Sequence, residues 1–126
     1  MKIQKYGLDE VPFSSATPSD SLLFVSGQGG TDPHTGEVAA ADLEGQTILT
    51  VQNIQNILSE WDLTLADVVK ANIYLSNRND YEAFNQIYSR LFPRPYPART
   101  LVYCDLNFDL LVEIDVVAKL KSKPEM

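Results

Sequence analysis

The sequence predicts an α+β fold in which two helices pack on one face of a sheet, and three observations carry that prediction. Two stretches place apolar residues at helical spacing: Leu43, Val51, Ile54, Leu58 and Trp61 in the first, and Tyr81, Phe84, Ile87, Tyr88 and Leu91 in the second. Val69, Ala71, Ile73 and Leu75 alternate with Lys70, Asn72, Tyr74 and Ser76, the period of a strand whose two faces meet different surroundings. The chain then closes on two consecutive strand-like runs joined by a short loop. At 126 residues, without repeats or low-complexity tracts, it is expected to form one domain spanning 1–126 and to bury about two thirds of the surface its unfolded form exposes.

The elements follow in order. Leu22 to Ser26 is a short β-rich run that ends in Gly27-Gln28-Gly29-Gly30, and Thr31 to Glu37 has the chemistry of a turn. Asp42 stands where an N-cap is needed for the first helix, with Gly45 and β-branched Thr47 weakening its opening turns, so packing must supply much of its stability. Trp61 reads as a core anchor at its far end. After the strand around Ala71, Asn79-Asp80-Tyr81-Glu82 has the pattern of a capping box, and the second helix runs from there to the prolines that begin at Pro93. Two strands follow, Arg99 to Leu106 and Leu111 to Leu120, with Asn107-Phe108-Asp109 between them, and a hairpin is the expected pairing. Tyr74, Leu101 and Tyr103 are expected on the sheet face away from the helices. That leaves an apolar face which a symmetric oligomer would cover.

Composition narrows the function. A net charge of −7 and the lack of any basic run beyond Lys119, Lys121 and Lys123 argue against nucleic-acid binding, which draws affinity from cations displacing counterions around phosphates. No segment reads as a membrane span, and the N-terminus lacks a basic region followed by an apolar stretch, so the expected address is cytoplasmic. The single cysteine, Cys104, reads as a small apolar residue inside a strand rather than a catalytic thiol, and with one histidine, His34, no metal site is expected.

The candidate chemistry centres on Arg99. Pro93, Pro95 and Pro97 each lock their own φ and bias the residue before them toward extended backbone, so this arginine enters its strand from a stiff connector. A rigidly placed guanidinium can meet both oxygens of a carboxylate at once; an arginine with its head in water is the ordinary alternative. On the last strand Glu113 and Asp115 share the face opposite Val112, Ile114, Val116 and Ala118, where they are either solvated or functional. Ser26 has no histidine or lysine partner in the pattern, which leaves a strand-end hydroxyl bonded to backbone as the default. Asn85 sits on the second helix, where a solvated position is the ordinary alternative, and Gly27, Gly29 and Gly30 lack the lysine–serine ending of a phosphate loop.

Six segments, taken together, are more specific. Leu23-Phe24-Val25-Ser26-Gly27-Gln28, Asp32-Pro33-His34-Thr35-Gly36-Glu37, Asp67-Val68-Val69-Lys70-Ala71, Phe84-Asn85-Gln86-Ile87-Tyr88, Pro97-Ala98-Arg99-Thr100 and Val112-Glu113-Ile114-Asp115 occur in an order and spacing that resembles the RidA/YjgF family of reactive-intermediate deaminases along nearly the whole chain. The resemblance implies a chorismate-mutase-like α+β fold with a mixed, mostly antiparallel sheet, and a homotrimer whose sheets line a central barrel and whose three clefts lie between subunits. It implies cofactor-independent hydrolysis of enamines and imines such as 2-aminoacrylate, giving 2-oxo acids and ammonia. Arg99 would clamp the substrate carboxylate, Glu113 would handle the attacking water, and Phe13, Ser26, Gly27, Gln28 and Asn85 would line the cleft. Phe13 stands where the family's Pro-Tyr-Ser segment carries tyrosine, so a hydroxyl is lost there, with either lower activity or a preference for more apolar side chains as the expected consequence. Two other readings remain: a non-catalytic binder of 2-oxo or amino acids, and a ribonuclease or translation inhibitor, which the acidic balance disfavours.

Overall fold

A computed structural model describes residues 11–121. In chain order the strands and helices are β1 (Ala16–Ser19), β2 (Leu22–Gly29), α1 (Leu43–Ser59), β3 (Val68–Leu75), α2 (Tyr81–Leu91), β4 (Ala98–Tyr103) and β5 (Val112–Lys119). The sheet order is β1-β2-β5-β3-β4, antiparallel throughout except for the parallel β3–β4 pair. Both helices lie on one face, over a core that joins Val51, Ile54, Leu58 and Phe84 to Leu23, Ile73, Ile114 and Val116 of the strands. The predicted fold class is the observed one.

The expected β4–β5 hairpin does not form. β3, α2 and β4 make a crossover unit, and a strand that returns through a helix pairs parallel to the strand before it. β5 instead runs between β2 and β3, reached through a 3-10 turn at Asn107–Asp109 in which Phe108 and Asp109 take positive φ (60° and 58°). β1 was not expected from the sequence. It is a four-residue edge strand containing Pro18, a residue that sheets accept at their margins because it offers no N–H to a ladder.

Pairing with β3 also corrects the faces of β4. Arg99, Leu101 and Tyr103 sit opposite Ala71, Ile73 and Leu75, all three buried under the helices, so Leu101 and Tyr103 pack toward the core rather than away from it. The uncovered face carries Phe24, Val117, Asn72, Tyr74, Glu113, Asp115, Thr100 and Val102, among which Phe24 is 46% and Val102 43% exposed. A face without a helix on it is therefore present, although with a different membership: apolar at Phe24, Val117 and Val102 and polar around Glu113 and Asp115. Val69 is exposed because the β3–β5 register slips between Val68 and Lys70, which puts Val68 in the core instead.

Local signals fared unevenly. Asp42 caps α1, its Oδ1 accepting from the Gly45 N–H at 2.9 Å. Trp61 is 38% exposed and not a core anchor. α1 stops at Ser59, Asp62 takes a left-handed conformation (φ 59°), and paired bonds from Asp62 N–H to Ser59 O and from Leu63 N–H to Leu58 O form a Schellman closure that delivers Leu63 to the core. The capping box before α2 is not made: Asp80 forms no side-chain cap, and Asn77 accepts from the Asn79 N–H one turn earlier, where a 3-10 turn precedes the helix. β2 continues beyond Ser26 through Gly27 and Gln28 to Gly29, with a register shift between Val25 and Gln28. Cys104 lies beyond the end of β4 and is exposed. Lys123 falls outside the described residues.

Candidate active site

Arg99 is held on the helix side of the sheet. The 93–97 connector delivers it to the start of edge strand β4, where Nη2 donates to Asn85 Oδ1 of α2 at 2.8 Å. Its guanidinium carbon stands 5.0 Å from the centroid of the Tyr88 ring and 5.8 Å from that of Phe84. A charge-assisted bond and two aromatic faces set the orientation of the fork. Arg99 and Asn85 line a cleft of about 330 Å³ with Tyr88, Ser89, Tyr96 and Pro97. Its walls come from α2 (Asn85, Tyr88, Ser89), the proline connector (Tyr96, Pro97) and β4 (Arg99). Asn85 is thus a partner of the arginine rather than a solvated helix position.

Glu113 lies on the other face. It stands opposite Tyr74 on β3, half-buried, while Gly27 passes so close on β2 that a Cβ there would meet the Glu113 carboxylate. Absence of a side chain at Gly27 is what makes room for the carboxyl group. Burial raises the Glu113 pKa above the ordinary glutamate value, and the neighbouring Asp115 charge adds to the rise. A carboxyl group pushed that way holds its proton to higher pH, which suits it to give and take protons. Asp115 is fixed by Asn72 Nδ2 at 2.8 Å and by the Tyr74 hydroxyl at 3.0 Å, both donating to it.

Phe13, Gly27 and Gln28 line a second cleft, of about 340 Å³, together with Thr31, Asp32, Asn53 and Ile57. The Phe13 ring is 60% exposed. Ser26 fastens this wall: its N–H donates to Ser15 O at 2.9 Å and its Oγ to Ser14 O at 2.6 Å. With both donors engaged it is a backbone tie, and it lines neither cleft. Gln28 Nε2 donates to Ser26 O at 3.1 Å.

A single copy brings together Arg99 with Asn85, Glu113 with Gly27, and Phe13 with Gly27 and Gln28 in the second cleft, which Glu113 does not line. It does not bring Arg99 and Glu113 together, since they project from opposite faces of one sheet. Sequence reasoning missed Tyr88, Ser89 and Tyr96 as cleft residues. Tyr88 follows Asn85 by three positions, which puts the two on one helix face, but its aromatic ring at helical spacing reads from sequence as core. Buried Asn53 and Gln46 were missed as well. Asn53 donates to Gly29 O and Thr31 O, while Gln46 donates to Ala40 O and accepts from the Leu111 N–H, so α1 ties down the turn after β2 and the approach to β5.

Residues 8–120 match the family model described as Endoribonuclease L-PSP. The chain belongs to this family, the RidA/YjgF proteins. It is 39% identical over 108 residues to a RutC family protein of Pyrococcus abyssi, covering 85% of each chain. It is 34% identical over 110 residues to the chloroplastic Reactive Intermediate Deaminase A of Arabidopsis thaliana, covering 86% of this chain and 59% of that protein. Among solved structures, RidA from an Antarctic Psychrobacter superposes with a TM-score of 0.82 at 29% identity, covering 88% of this chain and 90% of the other. TdcF of E. coli, solved with bound serine, superposes with a TM-score of 0.81, also at 29% identity and with the same coverage. The family includes reactive intermediate deaminases. Among the described residues, no helix is long and apolar enough to cross a membrane.

Proposed function

We propose that the protein hydrolyses short-lived 2-imino acids and their enamine tautomers, such as 2-aminoacrylate, to 2-oxo acids and ammonia, at clefts completed between copies of a homotrimer. The observation that carries this reading is the split site. Arg99 is held over an open cleft on one face of the sheet, Glu113 lies half-buried beside an uncovered apolar face on the other, and only a second copy can place one opposite the other. Phe24, Val102, Val117 and Tyr74 supply the apolar surface that such assembly would bury.

The chemistry follows from the residues. The substrate carboxylate docks on the Arg99 fork, which is already oriented by Asn85, and this aligns the imine carbon. Ionised Glu113 takes a proton from water as the water oxygen bonds to that carbon and passes it to the imine nitrogen, giving a carbinolamine. Glu113 then takes the carbinolamine hydroxyl proton and delivers it to the nitrogen as the C–N bond breaks, leaving ammonia and a 2-oxo acid. Water is the only co-reactant, and no electrons change hands. Phe13, on the wall of the second cleft beside Gly27 and Gln28, offers a ring without a donor. The reaction is expected in the cytoplasm, with no cofactor. The test is to generate 2-aminoacrylate in place with a serine dehydratase and follow ammonia release with and without the protein. Tight binding of 2-oxo acids without any acceleration would instead make it a small-metabolite binder.

A further inference from the structure

Tyr88 poses a question that packing does not answer. Its side chain is 4% exposed, stacked on Phe92 with centroids 4.5 Å apart and tilted against Phe84 and Tyr96. Its hydroxyl is buried with no hydrogen-bond partner among the described residues. A buried hydroxyl left unmade is a cost that phenylalanine would avoid while keeping every ring contact. Thr47 Oγ1 shares this condition, but Thr47 lines neither cleft. Tyr88 lines the Arg99 cleft and carries the guanidinium over its ring. Burial pushes its pKa up to about 12, with Arg99 pulling the other way, so the hydroxyl keeps its proton and remains a donor.

Resting on the reading of Arg99 as a carboxylate clamp, we propose that Tyr88 is a second carboxylate-recognition residue, whose hydroxyl donates to a ligand carboxylate once that anion is seated on Arg99. The three groups divide the work. Asn85 accepts from Nη2 and fixes the fork, the remaining guanidinium donors face the anion, and the Tyr88 hydroxyl gains the acceptor it lacks in the free chain. The binding-competent cleft is thus held at a small expense in stability, as functional sites commonly are.

The experiment compares the full-length parent with Tyr88→Phe and Tyr88→Leu, measuring thermal unfolding, oligomeric state, 2-oxobutyrate affinity by calorimetry, and imine hydrolysis. Tyr88→Phe is expected to melt at or above the parent temperature with unchanged assembly, yet to bind 2-oxobutyrate roughly tenfold to a hundredfold more weakly, the range of a hydrogen bond to a charged acceptor. Tyr88→Leu is expected to bind more weakly still, having lost the surface under the guanidinium as well. Parent-like affinity in Tyr88→Phe overturns the proposal, and so does weaker binding that comes with a lower melting temperature or altered assembly. A parent that binds 2-oxobutyrate but hydrolyses no imine would refute the deaminase reading and leave this inference standing. A parent that does not bind the 2-oxo acid refutes both.

Discussion

Arg99→Lys is the most informative single change, because it keeps the charge and removes the geometry. In the parent, Nη2 is committed to Asn85 Oδ1 at 2.8 Å while the guanidinium carbon lies 5.0 Å from the Tyr88 centroid, so the group serves Asn85, the ring and an incoming carboxylate at once. A lysine ammonium is a point donor on a shorter reach and cannot take all three roles. At least one charge-assisted bond to the carboxylate is lost, worth about 1.5–3 kcal/mol, which corresponds to roughly a tenfold to 150-fold weaker complex. The bond to Asn85 goes as well, lowering the melting temperature by about 4 °C for each kcal/mol in a chain of this size. Isothermal calorimetry with 2-oxobutyrate measures the first effect and differential scanning calorimetry the second. Parent affinity in the lysine variant would show that charge alone matters, and the clamp would have to be abandoned.

Four further outcomes are expected. Glu113→Gln keeps volume and removes the base, so imine hydrolysis should fall about a hundredfold or more with assembly and 2-oxo acid binding intact; a parent rate would transfer water activation elsewhere. The same variant has a pH signature. Because folding raises the Glu113 pKa, the native state holds this proton more tightly, so parent stability declines as pH climbs from the ordinary 4.5 through the raised value, and denaturant midpoints of Glu113→Gln should lack that decline. Gly27→Ala puts a methyl group against the Glu113 carboxylate, a flexible group that can move aside. Turnover should therefore drop at least tenfold for a stability change of about 1 kcal/mol or less, and an unaffected rate would separate Glu113 from the chemistry. Light scattering on the purified protein should give the mass of a trimer, whereas a monomer at micromolar concentration would leave Arg99 and Glu113 on opposite faces with nothing to join them.

Much of this fold was legible in the sequence because its signals are periodic. The helical stripes of α1 and α2 and the alternation in β3 and β5 lie in the order of residue types, and Asp42 announced its helix through a contact only three residues long. The pairing of β4 was not legible from periodicity. Arg99, Leu101 and Tyr103 alternate identically whether β4 joins β5 or β3, and only the crossover through α2 decides which face they take. That choice moved Leu101 and Tyr103 into the core and set Arg99 beside Asn85. Trp61 is exposed for a related reason: its helical spacing continues past Ser59, but α1 stops there and the left-handed Asp62 turns the chain. The candidate site was half legible. Arg99, Asn85, Gly27 and Glu113 could be named, but their division between two faces depends on register, and the role of Tyr88 depends on a hydroxyl whose missing partner no sequence displays.

The central claim is that this protein accelerates hydrolysis of a reactive imine, and the most direct measurement is ammonia release from 2-aminoacrylate produced continuously by a serine dehydratase. Spontaneous hydrolysis sets the baseline. The parent protein is expected to raise the rate above that baseline in proportion to its concentration, with Glu113→Gln close to the baseline despite unchanged 2-oxobutyrate binding. A parent rate that stays at the baseline at every protein concentration, with 2-oxobutyrate still bound, would contradict the account and leave a carboxylate-binding protein in its place.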